Sequence, residues 1–137
     1  VTYPCAELVA RCFAARTSAH FAHLSTKSYA QHIALGDFYD AIASAADEYI
    51  ECYMGIFGQL DVADFPVIRP SQGGPIQQLT DLRTWVADNR EECSEAGDDK
   101  DGEQAESNDV DCTELSNLID NILAVIDRAL YKLKFLK

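Results

Sequence analysis

The stretch at residues 59–75, QLDVADFPVIRPSQGGP, sets the strongest limit on what this chain can fold into. Each of its three prolines removes an amide donor and fixes φ, and two adjacent glycines favour irregular backbone, so neither a regular helix nor a central strand fits there. On both sides apolar residues recur at three- and four-residue steps instead of alternating. The chain therefore reads as helices before and after a long irregular crossover, an all-α bundle of four helices within a single domain, residues 1–137.

Before the crossover, Thr2 has the chemistry of an N-cap and Pro4 is tolerated in a first turn, which predicts a helix starting near Tyr3. Leu8, Val9, Cys12, Phe13, Ala19 and Leu24 give it one apolar stripe, with His20 at the edge. A polar break spans Ser25 to Ser28, and Ser28-x-x-Gln31 has the form of a capping box that opens a second helix. That helix carries His32, Leu35, Tyr39, Ile42, Ala46, Ile50 and Tyr53 on one face and is expected to stop near Gly55 or Gly58. Gly36 within it costs about 1 kcal/mol relative to alanine, which implies a close approach by another helix.

Inside the crossover, Asp61 to Phe65 is a candidate short helix, and Phe65, Val67 and Ile68 need a surface to cover. A third helix is expected from about Ile76 to Cys93, with Leu79, Leu82 and Trp85 or Val86 facing inward. An acidic loop at about 94–110 follows, read as exposed and mobile. The last helix is expected from Asp111 or Thr113 to near Lys134, its apolar face so broad that it must be buried on more than one side.

Charge narrows the function classes. The net charge is −12, and residues 91–114 hold eleven Asp or Glu against one Lys, so that segment carries −10 of it. An acidic chain repels the DNA backbone, because sequence-independent binding needs Lys and Arg to displace counterions. Direct DNA binding is therefore disfavoured, although Arg128, Lys132, Lys134 and Lys137 gather near the C-terminus. No run of eighteen apolar residues is present and no basic-then-apolar leader opens the chain, so a cytoplasmic setting is expected. The five cysteines show neither a CxxC pair nor a zinc-ribbon spacing. Cys5 and Cys12 read as buried small side chains. Cys93 and Cys112 bracket the acidic loop, either as a disulfide or as two thiols.

The candidate chemistry lies between His20 and Glu51. His32 follows His20 after twelve residues, Asp47 follows His32 after fifteen, and Glu51 follows Asp47 after four. Asp47 and Glu51 sit one helical turn apart on one face and can share a metal. On a straight helix His32 and Asp47 are separated by about 22 Å, far beyond metal-bond reach. One chain cannot close a site from all four residues, whereas an antiparallel second copy can.

These intervals, with Tyr39 and Asp40 between the histidines and the acids and Glu48 beside Asp47, resemble those of the Dps family, the miniature ferritins of the ferritin-like superfamily. The run TKSYAQHIALGDFYD is also similar to that of short Dps-like proteins encoded by tailed phages. The resemblance covers about the first sixty residues. It implies a ferritin-like four-helix bundle with a long crossover between the second and third helices, assembled as a hollow homododecamer. It also implies an intersubunit ferroxidase site at a twofold interface, where His20 and His32 of one subunit meet Asp47 and Glu51 of its neighbour. Iron would enter as Fe(II), be oxidised by peroxide or oxygen, and be stored as a ferric mineral, with Glu51 as a bridging ligand. Mixed nitrogen and oxygen donors also suit zinc or manganese. Two departures bear on rate and oxidant: Cys52 stands where many members carry arginine, and Phe21 replaces a common tryptophan. No E-x-x-H pair of a single-chain di-iron ferritin is present.

Two other readings stay open. A virus can keep such a bundle as a virion or assembly component, with virion proteins as partners, and fold alone does not fix function. A zinc-binding bundle without redox chemistry is the third, though the chain lacks a Cys-rich tetrahedral set. His23, taken alone, reads as a core or surface imidazole or an auxiliary to the site.

Overall fold

The computed structural model describes residues 3–70, 72–95 and 112–137. Its helices are α1 (Pro4–Ser25), α2 (Tyr29–Phe57), α3 (Pro75–Asp88), α4 (Arg90–Cys93) and α5 (Thr113–Phe135), with a 3₁₀ turn at Val62–Asp64 in the crossover. Among the described residues every regular element is helical. The acidic loop foreseen at about 94–110 lies almost wholly outside them.

Local chemistry explains most helix ends. Pro4 occupies the first turn of α1 with Tyr3 as N-cap, and Glu7 accepts a hydrogen bond from Arg11 one turn on, at 3.0 Å. The helix stops where Thr26 turns extended. Ser28 caps α2 by accepting the Gln31 amide at 3.2 Å, as the capping box requires. The reciprocal arm is rerouted: Thr26 Oγ1 accepts the Ser28 amide at 3.1 Å and donates to the Gln31 side-chain carbonyl. Gly58 ends α2 at a φ of 104°, a backbone angle that only glycine adopts without strain.

The expected third helix is divided. Asn89 leaves helical geometry at φ −107°, ψ 11°, and its backbone and side-chain amides both donate to Trp85 O, at 3.0 and 2.8 Å. A single turn, α4, follows.

The helices form a square in which α1 packs on α2 and α3, and α5 packs on α2 and α3. Cross-contacts set their directions. His20 meets Tyr39 while Cys5, further back on α1, reaches Tyr53, further on in α2, so these two helices are antiparallel. The Ser18 hydroxyl donates to Gln78 Oε1 at 2.6 Å, and the Arg11 guanidinium lies 4.8 Å over the Trp85 ring, so α3 also runs against α1. Lys132 pairs with Asp37 at 3.1 Å, and Arg83 with Asp127 at 2.6 Å, placing α5 against both α2 and α3. The result is an up-down-down-up bundle in which residues 58–74 join two parallel helices.

The core is continuous. Leu8 and Val9 of α1, Leu35, Phe38, Ile42 and Tyr49 of α2, Val86 of α3, and Leu115, Ile119, Ile122 and Ile126 of α5 are almost completely buried. Each such aliphatic or aromatic side chain contributes roughly 1.5–3 kcal/mol of transfer free energy. This core brings the turn between α1 and α2 to one end of the bundle and leaves one edge of each helix exposed.

Candidate functional site

Three imidazoles and a phenol gather where α1 enters the turn and α2 leaves it. His20 and His23 belong to the last two turns of α1, and His32 to the first turn of α2. His23 and His32 stack with ring centroids 3.6 Å apart and planes inclined by 18°. Tyr39 joins them from α2: His20 stacks on it at 4.3 Å, and His23 meets it edge-on at 5.3 Å. The Arg16 guanidinium lies 5.6 Å from the same Tyr39 ring. All three histidines are half-buried.

Two crossed hydrogen bonds tie the stacked pair to the backbone. His23 Nδ1 lies 2.6 Å from His32 O, and His32 Nδ1 lies 2.8 Å from His23 O. A carbonyl oxygen only accepts, so each Nδ1 carries the proton and donates. In the neutral rings the remaining lone pair is then on Nε2, the atom available to a metal. Packing enforces the arrangement from below, since a Cβ on Gly36 would lie 3.2 Å from His23 Cε1 and 3.3 Å from its Nδ1. The close approach foreseen at Gly36 is therefore made by the ring of His23.

Asp47 and Glu51 are elsewhere. Both are exposed on α2, one turn apart, and α2 runs unbroken from Tyr29 to Phe57. The axial distance from His32 to Asp47 therefore remains about 22 Å. Among the described residues no group of three or more His, Cys, Asp or Glu converges on a point that could hold a metal. The fold brings His20 and His32 into one cluster and leaves Asp47 and Glu51 outside it.

Most of the thiols are sequestered. All five cysteines are thiols, and Cys5, Cys12 and Cys93 are buried. Burial, followed by the neighbouring Cys93, pushes the Cys12 thiol up to about 12; burial, followed by Cys5, does the same for Cys93. Neither is a nucleophile at neutral pH.

The apolar crossover residues find a partial cover. Phe65, Pro66 and Ile68 line a groove of about 490 Å³ with Ala10, Phe13 and Ala14 of α1. Val62, also in its lining, and Val67, between Pro66 and Ile68, remain 91% and 99% exposed. From sequence alone His23 reads as a core or surface imidazole or an auxiliary, and neither its stacking on His32 nor the α1 residues that meet the crossover are foreseen. The available signal for His23 was its position nine residues before His32 across a three-residue turn, with a glycine one helical turn further on.

The architecture thus defines an all-α bundle with an imidazole cluster at one end and a carboxylate pair along α2. The chain belongs to a family of unknown function (DUF5856), which it matches over residues 23–133. That span includes His23, His32, Asp47 and Glu51, and begins after His20. No curated protein and no solved structure matches the chain. Among the described residues no helix is long and apolar enough to cross a membrane.

Proposed function

We propose that this protein is a Dps-like iron-binding and iron-storage protein that oxidises Fe(II) at a site shared between subunits. The observation that carries the reading is the pairing of two half-sites in one chain at Dps-like intervals. Imidazoles with Nε2 lone pairs stand at one end of α2, and a carboxylate pair lies about 22 Å along the same helix. An antiparallel copy of the α1–α2 face brings His20 and His32 of one subunit to Asp47 and Glu51 of the next, and a twofold axis generates two such sites. The up-down-down-up order with one long crossover supports a ferritin-like identity for the bundle.

The chemistry follows from the donors. Fe(II) is the substrate. Borderline imidazole nitrogens and hard carboxylate oxygens suit it, and the carboxylates favour the harder, more highly charged ferric product. One hydrogen peroxide accepts two electrons, one from each of two Fe(II) ions, and the ferric ions hydrolyse to an oxyhydroxide with release of protons to solvent. Zinc and manganese fit the same donors and would compete. The acidic net charge supports a store that attracts cations and does not bind DNA.

Size-exclusion chromatography with light scattering tests the reading. A closed particle of about twelve chains is expected by resemblance. A monomer would remove the shared site.

A second reading, a virion or assembly component, rests on the apolar groove between α1 and the crossover and on the exposed Val62 and Val67 of that crossover. It expects assembly without ferric absorbance above a protein-free blank.

A further inference from the structure

We infer that His23 is a positioning residue for His32, holding its Nε2 ready for a metal; the inference rests on the metal-site reading above. His32 lies in the first turn of α2, beside a short polar turn. An exposed imidazole there samples several rotamers and both tautomers. Here it has neither freedom. One face lies against the His23 ring at 3.6 Å, and its Nδ1 is held by His23 O at 2.8 Å.

The carbonyl that holds it has a reason to do so. His23 O belongs to the last turn of α1, where a helix leaves its final carbonyls without intrahelical donors. His32 Nδ1 satisfies that oxygen. In return His23 Nδ1 donates to His32 O, an interior carbonyl of α2 with a second lone pair to offer. The two residues therefore cap one helix and clasp it to the next, and both rings adopt the tautomer with a bare Nε2.

Stacking also decides what His23 does not do. Imidazoles bind metals in the ring plane, and two nearly parallel planes 3.6 Å apart do not direct their lone pairs at one ion. His23 and His32 thus do not chelate a single metal together. The role left to His23 is support, and Tyr39 and Gly36 support it in turn. Tyr39 meets the His23 ring edge-on, and Gly36 gives it room where a methyl group would press on Cε1 and Nδ1. Loss of a partner that orients a metal-ligating histidine typically lowers metal affinity by 10- to 100-fold.

The test is titration of the full-length wild-type protein with Co(II), a redox-stable probe, followed by calorimetry and the visible absorption of the bound ion. Circular dichroism monitors the fold. His23→Ala keeps the carbonyl that holds His32 Nδ1 but removes the stacked ring and its bond to His32 O, and is expected to weaken Co(II) binding several-fold. His23→Asn, whose amide nitrogen can stand where Nδ1 stands, should recover part of that loss. Gly36→Ala is the second probe, because it raises helix propensity while crowding the His23 ring. It should lower Co(II) affinity several-fold with the helical signal intact, and it decides the matter if His23→Ala does not fold. A folded His23→Ala protein that binds Co(II) as tightly as wild type overturns the positioning role and leaves the metal site standing. A wild-type protein that binds no Co(II) overturns both.

Discussion

The hydroxyl of Tyr49, buried in the middle of α2, donates to the backbone carbonyl of Cys93 at 2.7 Å, and Tyr53 one turn later donates to Glu95 O at 3.1 Å. These carbonyls lie at the end of α4, where the helix supplies no donors. Two tyrosines of α2 thereby fasten the last described residues of the third helical segment to the core. Tyr49→Phe keeps the ring and strands the Cys93 carbonyl. An unsatisfied buried acceptor costs about 1–3 kcal/mol, so urea denaturation should show a loss in that range with an unchanged slope. A loss near zero would mean that water replaces the hydroxyl.

Thiol accessibility gives the second prediction. At pH 8 the native protein should be alkylated by iodoacetamide at Cys52 and Cys112, which are only half-buried, and spared at Cys5, Cys12 and Cys93. Burial shields the latter three and also holds the Cys12 and Cys93 thiols near 12, so almost none is thiolate at that pH. Peptide mass spectrometry reads the pattern, and all five should react in denaturant.

An ion pair between α4 and α5 gives a pH dependence whose sign is fixed. Arg90 Nη1 lies 2.5 Å from Asp120 Oδ1, and hydrogen bonding to Arg90 is the main cause that lowers the Asp120 pKa. A carboxylate whose folded pKa is depressed adds stability above its unfolded value, near 4, and loses it as pH falls through the folded value. Asp120→Asn should therefore melt slightly below wild type at neutral pH. The two melting curves should converge as the solution is acidified below about pH 4. The exposed position of Asp120 keeps the difference small and sensitive to salt.

Sequence alone revealed the features whose chemistry is local. Ser28 caps α2, the later of the two glycines offered as its stop, Gly58, ends it, and the apolar stripe of α5 is buried, because each depends on neighbours within one or two helical turns. Features that depend on which helices adjoin were hidden. Asp37, Asp120 and Asp127 lie on exposed helix faces, yet they pair with Lys132, Arg90 and Arg83 from other helices. The helical path also breaks at Asn89, between α3 and α4, a departure that apolar periodicity does not register. At the candidate site, spacing singled out His20 and His32, while the contact between His23 and His32 depends on how the turn folds one ring onto the other. Asp47 and Glu51 were legible as an i,i+4 pair and as residues that a straight α2 keeps from the histidines. Both are exposed in the folded chain.

The carboxylate pair provides the test that separates iron chemistry from a purely structural bundle. Asp47 and Glu51 are exposed and lie outside the core, so Asp47→Asn with Glu51→Gln should leave folding and assembly close to wild type. The amides keep size and much of the hydrogen bonding while removing the two negative charges that favour the ferric product. Fe(II) and peroxide added under anaerobic conditions should give ferric absorbance quickly with wild type and much more slowly with the double variant, with light scattering confirming equal particle size. Equal rates in the two proteins, or no oxidation above the protein-free blank in either, would sink the ferroxidase reading. The bundle would then be understood through the apolar groove lined by Phe13, Phe65 and Ile68 and not through its carboxylates.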